Sequence, residues 1–327
     1  MQKILVTGGA GYIGSHVAHA LADAGRKVIV IDDLSRGRAD MLPATATFIE
    51  GDICDEGLLA EIFTGQRPDG IVHLAAKSLV PESVSDPHNY YRVNVEGTRR
   101  LVSAAGKAGV KGIVFSSTAS VYGAPECMPI GEDAPKDPQS PYGATKLACE
   151  WVLRDTAAAA GGVPWTALRY FNAAGADPAG RCGQVGPASH LVKIAAQVVV
   201  GARPDIAVYG EDYPTPDGTC VRDYVHVSDI AAAHVLALDR LAAGGSPIAC
   251  NIGYGKGASV REILDVVEEL YPGKLRIVTG PRRPGDVPEL IASTERARTE
   301  LGWKPAHASL QDIVRTAVEW ERRLQSG

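Results

Sequence analysis

Apolar runs of strand length alternate with helical patterns from the first residues of the chain. The strand-like runs are KILVTG at 3–8, KVIVID at 27–32, TFIEGD at 47–52, GIVHLAA at 70–76 and GIVFSS at 112–117. Helical patterns occupy 12–24, between the first two runs, and 93–108, before the last. This alternation is typical of βαβ units, and it predicts a parallel sheet.

The first helical pattern has one apolar stripe. Ile13, Val17 and Leu21 recur at four-residue spacing, and Gly25 follows where a C-terminal cap is expected. We therefore expect this helix to pack on the sheet.

The second half of the chain is more irregular. Glycine, proline and aspartate interrupt 172–190 and 209–218, and helical periodicity returns at 260–270 and 310–324. No internal repeat or low-complexity linker separates the halves. The pattern predicts an α/β fold: a Rossmann-type doubly wound parallel sheet, at 1–172, with a smaller, mixed α/β C-terminal substrate domain at 173–327. We expect the segment at about 228–256 to pack back onto the first domain.

Composition excludes several classes of function. The chain has 327 residues, 33 basic and 38 acidic side chains, a net charge of −5 and 45% apolar residues, as an ordinary globular protein does. The mild acidity and the lack of a long basic run argue against nucleic-acid or membrane-surface partners. No apolar run reaches the length of a membrane span, and the N-terminus lacks the features of a secretory signal.

The cysteines and histidines indicate no metal site. The six cysteines are scattered without a CxxC pair, so neither zinc nor a disulfide framework is expected, and the reducing cytoplasm is the expected location. His16 and His19 are three residues apart on the first helical pattern. We expect His16 to pack near the glycine turn instead of binding a metal.

A glycine turn lies between the first strand and the first helix. TGGAGYIGS, at 7–15, contains Gly8, Gly11 and Gly14, which let the backbone turn tightly and approach a pyrophosphate at a helix N-terminus. Asp32 ends the second strand, 18 residues after Gly14, where a carboxylate accepts from ribose hydroxyls. Asp32 would repel a 2′-phosphate and so favours NAD; Arg36 and Arg38 nearby would favour NADP. The alternative is a glycine turn that serves packing only.

A tyrosine and a lysine stand four residues apart, at Tyr142 and Lys146. On a helix they are neighbours, and a cation beside a phenol favours the phenolate, which could exchange a proton with an alcohol that gives up hydride. Thr118 follows the strand GIVF at the ligand-facing edge of a parallel sheet, where its hydroxyl could bond the reacting oxygen. The alternatives are a surface Tyr/Lys pair and an ordinary Ser/Thr-rich turn.

Together these motifs resemble the extended short-chain dehydrogenase/reductase family. They comprise TGGAGYIGS, Asp32, Gly51-Asp52, HLAA at 73–76, SSTASVYG at 116–123, PYGATK at 141–146 and RYFNAAGA at 169–176. Two later segments, YGEDYPTPDGTCVRDYVHVSDIA at 209–231 and RRPGDVPEL at 282–290, resemble the UDP-glucose 4-epimerase family. The resemblance covers essentially the entire chain.

The resemblance implies a role for particular residues. Thr118, Tyr142 and Lys146 match the catalytic positions. The positions that match NAD contacts are Gly8, Gly11, Tyr12, Ile13, Gly14, Asp32, Asp52, Ile53, Leu74, Ala75, Ala76, Asn94, Tyr142, Lys146 and Phe171. The positions that match UDP-sugar contacts are Thr118, Tyr142, Asn172, His190, Leu191, Tyr209, Arg222, Arg283, Asp286 and Leu290. Arg222 and Arg283 suit a diphosphate, Asp286 suits ribose hydroxyls, and Tyr209 suits stacking on uracil.

The chain departs from the family pattern at three places. The family often has a lysine at the position of Ser78. In this chain the lysine lies one residue earlier, at Lys77, so either residue could make the pyrophosphate contact. The segment 181–193 lacks the acidic residues often found there, and its one proline, Pro187, is not the proline that the family often has in this segment. Leu290 is neither the large aromatic nor the small residue that would settle which C2 substituents fit.

The resemblance implies reversible interconversion of UDP-galactose and UDP-glucose through transient oxidation at C4 by a bound NAD. The alternatives are an epimerase of UDP-N-acetylhexosamines or UDP-pentoses and an NAD-dependent 4,6-dehydratase, with a non-catalytic NAD(H)-sensing protein more remote. A dehydratase is disfavoured because Ala119 and Ser120, after the threonine, cannot serve as an acid/base pair. A homodimer is expected through apolar helix residues (Leu101, Val102, Leu147, Trp151 and Val152), which burial within one chain would explain equally well.

Overall fold

The fold is described from a computed structural model, which defines residues 1–159, 162–187, 189–283 and 285–326. A seven-stranded parallel sheet is its centre. Its strands are β1 (Lys3–Thr7), β2 (Lys27–Asp32), β3 (Thr47–Glu50), β4 (Gly70–His73), β5 (Ile113–Thr118), β6 (Trp165–Tyr170) and β11 (Ile248–Ile252). The order β3-β2-β1-β4-β5-β6-β11 reverses between β1 and β4, which opens a crevice at the carboxyl ends of those strands. The Rossmann-type fold class is confirmed.

Helices cover the sheet and continue into the second half of the chain. They are α1 (Tyr12–Asp23), α2 (Glu56–Gln66), α3 (Val80–Ser85), α4 (Pro87–Tyr90), α5 (Gly97–Lys107), α6 (Pro141–Ala157), α7 (Leu191–Val199), α8 (Val227–Ala242), α9 (Val260–Leu270), α10 (Glu295–Leu301) and α11 (Leu310–Ser326). None of the helices in the described ranges has the length and apolar character needed to cross a membrane.

Short strands pair in the irregular part of the chain. They are β7 (Asn172–Ala174), β8 (Ile206–Tyr209), β9 (Val221–Arg222), β10 (Tyr224–His226), β12 (Ala258–Ser259), β13 (Ile277–Gly280) and β14 (Glu289–Leu290). β7 pairs with β10, β8 with β13, and β9 with both β12 and β14.

Alternating strand residues build a core on each face of the sheet. Val6 belongs to the cluster that includes Val17 and Leu21 of α1, and its neighbour Leu5 belongs to the cluster that includes Leu101 of α5. Strands buried on both faces read as continuous apolar runs, which is why the sequence pattern located them. A third cluster packs α7, α9 and α11 together.

The structure refines two expectations. The helical pattern at 93–108 becomes a π-helical turn, Tyr91–Glu96, followed by α5 from Gly97. Three of the apolar residues expected at a dimer face, Leu101, Val102 and Leu147, are buried within the single chain because they pack into its core. Trp151 of α6, by contrast, is 49% exposed.

Candidate active site

The glycine turn forms a tight cradle between β1 and α1. Gly8 has φ of +68°, and a Cβ there would lie 2.6 Å from the amide nitrogen of Ala75. A Cβ on Gly14 would lie 2.1 Å from the Gly8 carbonyl oxygen. Gly11 precedes α1, and no side chain within the described residues caps that helix end. Amide groups and positive potential are therefore presented to the crevice, as an anionic pyrophosphate requires.

Asp32 holds the cradle from the end of β2. Its carboxylate accepts hydrogen bonds from the amides of Ala10, at 3.0 Å, and Leu34, at 2.9 Å. Burial raises the pKa of Asp32, although both amide bonds oppose that effect. A carboxylate so placed can accept from the hydroxyls of an adenosine ribose.

The two nearby arginines are already paired. Arg36 donates to Glu82 at 2.8 Å, and Arg38 pairs with Asp40. Both cations are thus engaged by carboxylates, which does not suit a site for a 2′-phosphate. The arrangement favours NAD over NADP.

The loops after β3 and β4 complete the cofactor side of the crevice. Asp52 accepts from the Cys54 amide at 2.8 Å, and Ile53 is buried beside Gly97. Leu74 donates to the Thr7 carbonyl at 3.0 Å, which places Leu74–Ala76 against the cradle. Phe171 is buried just beyond β6.

Asn94 connects this loop to α6. Its side chain accepts from the Lys77 amide at 2.8 Å and donates to the Lys77 carbonyl at 3.1 Å and the Thr145 hydroxyl at 2.9 Å. The side-chain amide thus fixes the backbone at Lys77, next to Ser78. The choice between Lys77 and Ser78 for a pyrophosphate contact stays a prediction.

The reacting end of the site is built by β5 and α6. Ser140 caps α6, Pro141 occupies its first turn, and Tyr142 and Lys146 follow on one face. The Thr118 hydroxyl, at the end of β5, lies close enough to the Tyr142 phenol to oppose the rise of its pKa, and it donates to the Ser120 hydroxyl at 3.2 Å. The Lys146 ammonium, which is 2% exposed, donates to the Ser116 carbonyl at 2.7 Å. The structure therefore brings the three expected catalytic residues together.

The pKa of Tyr142 differs from the sequence-based expectation. Burial raises it to about 12, and the nearby Thr118 hydroxyl opposes that effect. The expected lowering of this pKa is wrong for the protein alone, because burial is the largest effect on the phenol. Burial also lowers the pKa of Lys146 to about 8.

The residues expected to bind a UDP-sugar form three groups. Asn172, His190 and Leu191 line one cavity together with Tyr12, whose hydroxyl donates to the Gly175 carbonyl at 2.6 Å. The cavity thus brings one residue expected to contact NAD together with three expected to contact the UDP-sugar. His190 precedes α7, and its ring is 3.2 Å from the Gln184 side-chain nitrogen.

The other two groups each contain an arginine. The Arg222 guanidinium lies 3.6 Å from the Asp286 carboxylate, and Arg222 pairs with Leu290 between β9 and β14. The Arg283 guanidinium lies 3.9 Å from the centroid of the Tyr209 ring. Among the described residues, no cluster of histidine, cysteine, aspartate or glutamate could hold a metal ion.

The comparison with known families decides the broad class. The NAD dependent epimerase/dehydratase family matches residues 4–253, which include the glycine turn, Thr118, Tyr142 and Lys146. The chain belongs to this family.

Similar members of the NAD dependent epimerase/dehydratase family are named UDP-glucose 4-epimerase. That of Azospirillum brasilense is 53% identical over 324 residues, covering 99% of this chain and 93% of the relative. That of Halalkalibacterium halodurans is 47% identical and covers 100% of this chain and 97% of the relative.

Solved structures agree over the same length. The UDP-glucose 4-epimerase of Brucella ovis in complex with NAD has a TM-score of 0.94 and 42% identity, covering 98% of both chains. That of Bifidobacterium longum in complex with NAD+ and UDP has a TM-score of 0.93 and 35% identity, covering 100% of both chains.

Three buried residues close to Tyr142 and Lys146 were not identified from the sequence. Ser117, Glu150 and Arg169 form a buried hydrogen-bonded group behind α6. The available signal was the position of Glu150, which continues the four-residue spacing of Tyr142 and Lys146 on one helix face.

Proposed function

We propose that this protein is a UDP-glucose 4-epimerase that interconverts UDP-galactose and UDP-glucose with bound NAD. The observation that carries the proposal is the placement of Tyr142 and Lys146 on one face of α6, beside Thr118 at the end of β5 and at the edge of the sheet that holds the glycine cradle. The full-length similarity to enzymes of that name supports it.

In the proposed chemistry a proton moves to the Tyr142 phenolate and back to the substrate. Bound NAD would supply the acceptor and later the donor of the C4 hydride, and its positive charge would favour the phenolate, whose pKa burial raises. Tyr142 takes the proton of the C4 hydroxyl, directly or through Thr118, as the C4–H bond breaks to give a 4-keto sugar. Tyr142 returns the proton when hydride is delivered to the opposite face of C4. The Lys146 ammonium contributes positive charge beside these steps.

Inversion requires strong contacts to the nucleotide and weak contacts to the hexose. We propose that Arg222 and Arg283 hold the diphosphate, that Tyr209 stacks on uracil, and that Asp286 binds the ribose. Because the nucleotide stays clamped, the keto-hexose can turn over about its phosphate linkage without leaving. The binding energy is thus used on the part of the substrate that does not react.

A labelled substrate tests the proposal. Purified protein without added reductant should convert UDP-[4-²H]galactose to UDP-glucose that retains deuterium at C4, as measured by mass spectrometry. Absence of turnover with NAD supplied, or loss of the label to water, would contradict it.

The alternative reactions lack support at the site. A 4,6-dehydratase needs an acid/base pair after Thr118, whereas Ala119 is buried and apolar and the Ser120 hydroxyl accepts from Thr118 at 3.2 Å. A non-catalytic NAD(H)-sensing protein would have no use for Tyr142 held against Thr118. Among epimerases, the range of accepted C2 substituents stays open at Leu290.

We further propose a homodimer, a cytoplasmic location and the division into an NAD-binding domain at 1–172 and a UDP-sugar-binding domain at 173–327. Support for the dimer is exposed apolar surface on contacting helices: Trp151 on α6 is 49% exposed and Val84 on α3 is 65% exposed. Support for a return of 228–256 to the first domain is the pairing of β11 with β6 and the packing of α8 on α1.

A further inference from the structure

A buried ion pair lies directly behind the proposed catalytic residues. The Arg169 guanidinium donates to both carboxylate oxygens of Glu150, from Nε at 2.9 Å and from Nη2 at 2.6 Å. The side chains are 5% and 7% exposed. Arg169 belongs to β6, and Glu150 belongs to α6, the helix that carries Tyr142 and Lys146. The pair therefore ties that helix to the sheet.

The same carboxylate also holds the strand that ends in Thr118. The Ser117 hydroxyl donates to Glu150 Oε1 at 2.5 Å, and Ser117 stands opposite Arg169 in the register of β5 and β6. One carboxylate thus bonds the residue before Thr118 and the strand beside it. A shift of α6 along β5 would break both contacts at once.

Three residues of α6 face three consecutive residues of β5. Lys146 donates to the Ser116 carbonyl, Glu150 accepts from the Ser117 hydroxyl, and Tyr142 lies beside Thr118. On the helix these residues are four apart, so they form one row. Only the contact of Glu150 is made away from the reacting groups.

The other side of the guanidinium is fixed as well. Arg169 Nη1 donates to the Tyr122 hydroxyl at 2.8 Å and to the Glu132 carbonyl at 3.0 Å. Tyr122 in turn donates to Asn251 of β11 at 2.7 Å. Every nitrogen of the guanidinium has an acceptor, which prevents rotation of the group.

Stability alone is a weak reason for such an arrangement. Removing two charges from water offsets much of their mutual attraction, and an apolar pair of similar volume often stabilises a core as well or better. What the ion pair adds is a directional constraint on α6, because charge-assisted and bidentate hydrogen bonds fix geometry as well as contribute energy.

We propose that Glu150 and Arg169, with Ser117, are positioning residues that set the place of α6 along β5 and thereby the distance of Tyr142 and Lys146 from Thr118. The inference rests on the proposed epimerase function for its effect on catalysis. It predicts that losing the network lowers kcat while binding of the nucleotide and of NAD is unchanged.

The main variant is the double substitution Glu150→Leu with Arg169→Met, which removes both charges together. We expect kcat to fall by about tenfold to a hundredfold, as displacement of catalytic groups by about an ångström does. KM for UDP-galactose, Kd for UDP and NAD content should stay within about twofold of wild type, since no residue changed touches those ligands. A double variant that folds and keeps kcat within twofold overturns the proposal.

Ser117→Ala provides a second variant that leaves the ion pair in place and decides the question if the double variant does not fold. We expect a severalfold loss of kcat with KM unchanged; full activity would overturn the proposal.

Leu238→Ala is the matched control, because Leu238 is fully buried in α8 and packs near Gly70, at the start of β4 and away from the crevice. It should lower Tm and leave kcat within about twofold; a loss equal to that of Ser117→Ala would show that destabilisation alone explains the effect.

Hydrogen–deuterium exchange separates this inference from the proposed function. The amides of 142–148 should exchange at least about fivefold faster in Ser117→Ala and in the double variant than in wild type or Leu238→Ala. This holds whether or not the wild type turns over UDP-galactose. Unchanged exchange in both variants contradicts positioning, whereas an inactive wild type with faster exchange in the variants contradicts only the epimerase proposal.

Discussion

The ammonium of Lys146 donates a hydrogen bond to the carbonyl of Ser116 at 2.7 Å, inside a site where burial lowers its pKa to about 8. The ammonium is the form that adds positive charge beside the reacting oxygen. It is half populated at about pH 8 and is lost as the pH rises further.

This pKa predicts an alkaline limit to catalysis. We expect kcat to fall above about pH 8, measured at constant ionic strength. Lys146→Arg should have lower activity but should lack this limb, because a guanidinium stays charged throughout the range. A wild-type profile that is flat to pH 9.5 would show that the charge of Lys146 is not required.

Tyr142→Phe should remove proton transfer and little else. We expect kcat to fall by about 10²–10⁴-fold, because the phenol is the proposed acid and base. NAD content and the Kd of UDP should be close to those of wild type, as measured by absorbance after denaturation and by calorimetry. Retained turnover would mean that another group handles the proton.

Asp32→Asn should weaken the hold on the cofactor. Asp32 fastens the cradle through the amides of Ala10 and Leu34, and its charge is the proposed acceptor for ribose hydroxyls. Loss of a charged acceptor of this kind costs about 1.5–3 kcal/mol, so NAD affinity should fall by about tenfold to a hundredfold. Asp33→Asn is the control, because Asp33 bonds only its neighbour Ser35 among the described residues. Equal losses in both variants would contradict the assignment.

Leu290 should control the room at C2 of the sugar. It lies in β14 opposite Arg222, within the proposed substrate side. Leu290→Tyr should lower kcat/KM for UDP-N-acetylgalactosamine more than for UDP-galactose, and Leu290→Ala should do the reverse. The two substrates should be assayed side by side, and an unchanged ratio in both variants would exclude Leu290 as a specificity residue.

Trp151→Asp should disrupt the proposed dimer. Trp151 is 49% exposed on α6, and a charge there would be buried without a partner in an interface. We expect a monomer by sedimentation velocity at micromolar concentration, with Arg154→Ala, exposed on the same helix, as the control. A wild-type protein that sediments as a monomer would contradict the proposal directly.

Strong local patterns made much of the fold predictable. The predicted helix at 260–270 is confirmed. It was predictable because Ser259 and Glu262 form a capping box at the start of a regular apolar stripe. The start of α5 was missed because the π-helical turn before it, at Tyr91–Glu96, carries no distinct periodicity. The pattern of polar and apolar positions does not separate a π-helical turn from an α-helix, because the two differ only in whether the hydrogen bonds span five residues or four.

The site was predictable where the interacting residues belong to one short sequence motif. Tyr142 and Lys146 are neighbours on any helix, but the direction of the Lys146 ammonium depends on the backbone of β5, which sequence spacing does not report. The bonds from Arg169 to Glu150 similarly require the register between β5 and β6. The stacking of Arg283 over Tyr209 joins residues from two distant segments.

The place of β11 at the edge of the sheet has a consequence for biosynthesis. Until Ile248–Ile252 has been synthesised and has paired with β6, the outer edge of β6 has unpaired amides and carbonyls. A chain that ends at Phe171 therefore exposes a strand edge that can pair with other chains. We expect a fragment that lacks the later segment to aggregate.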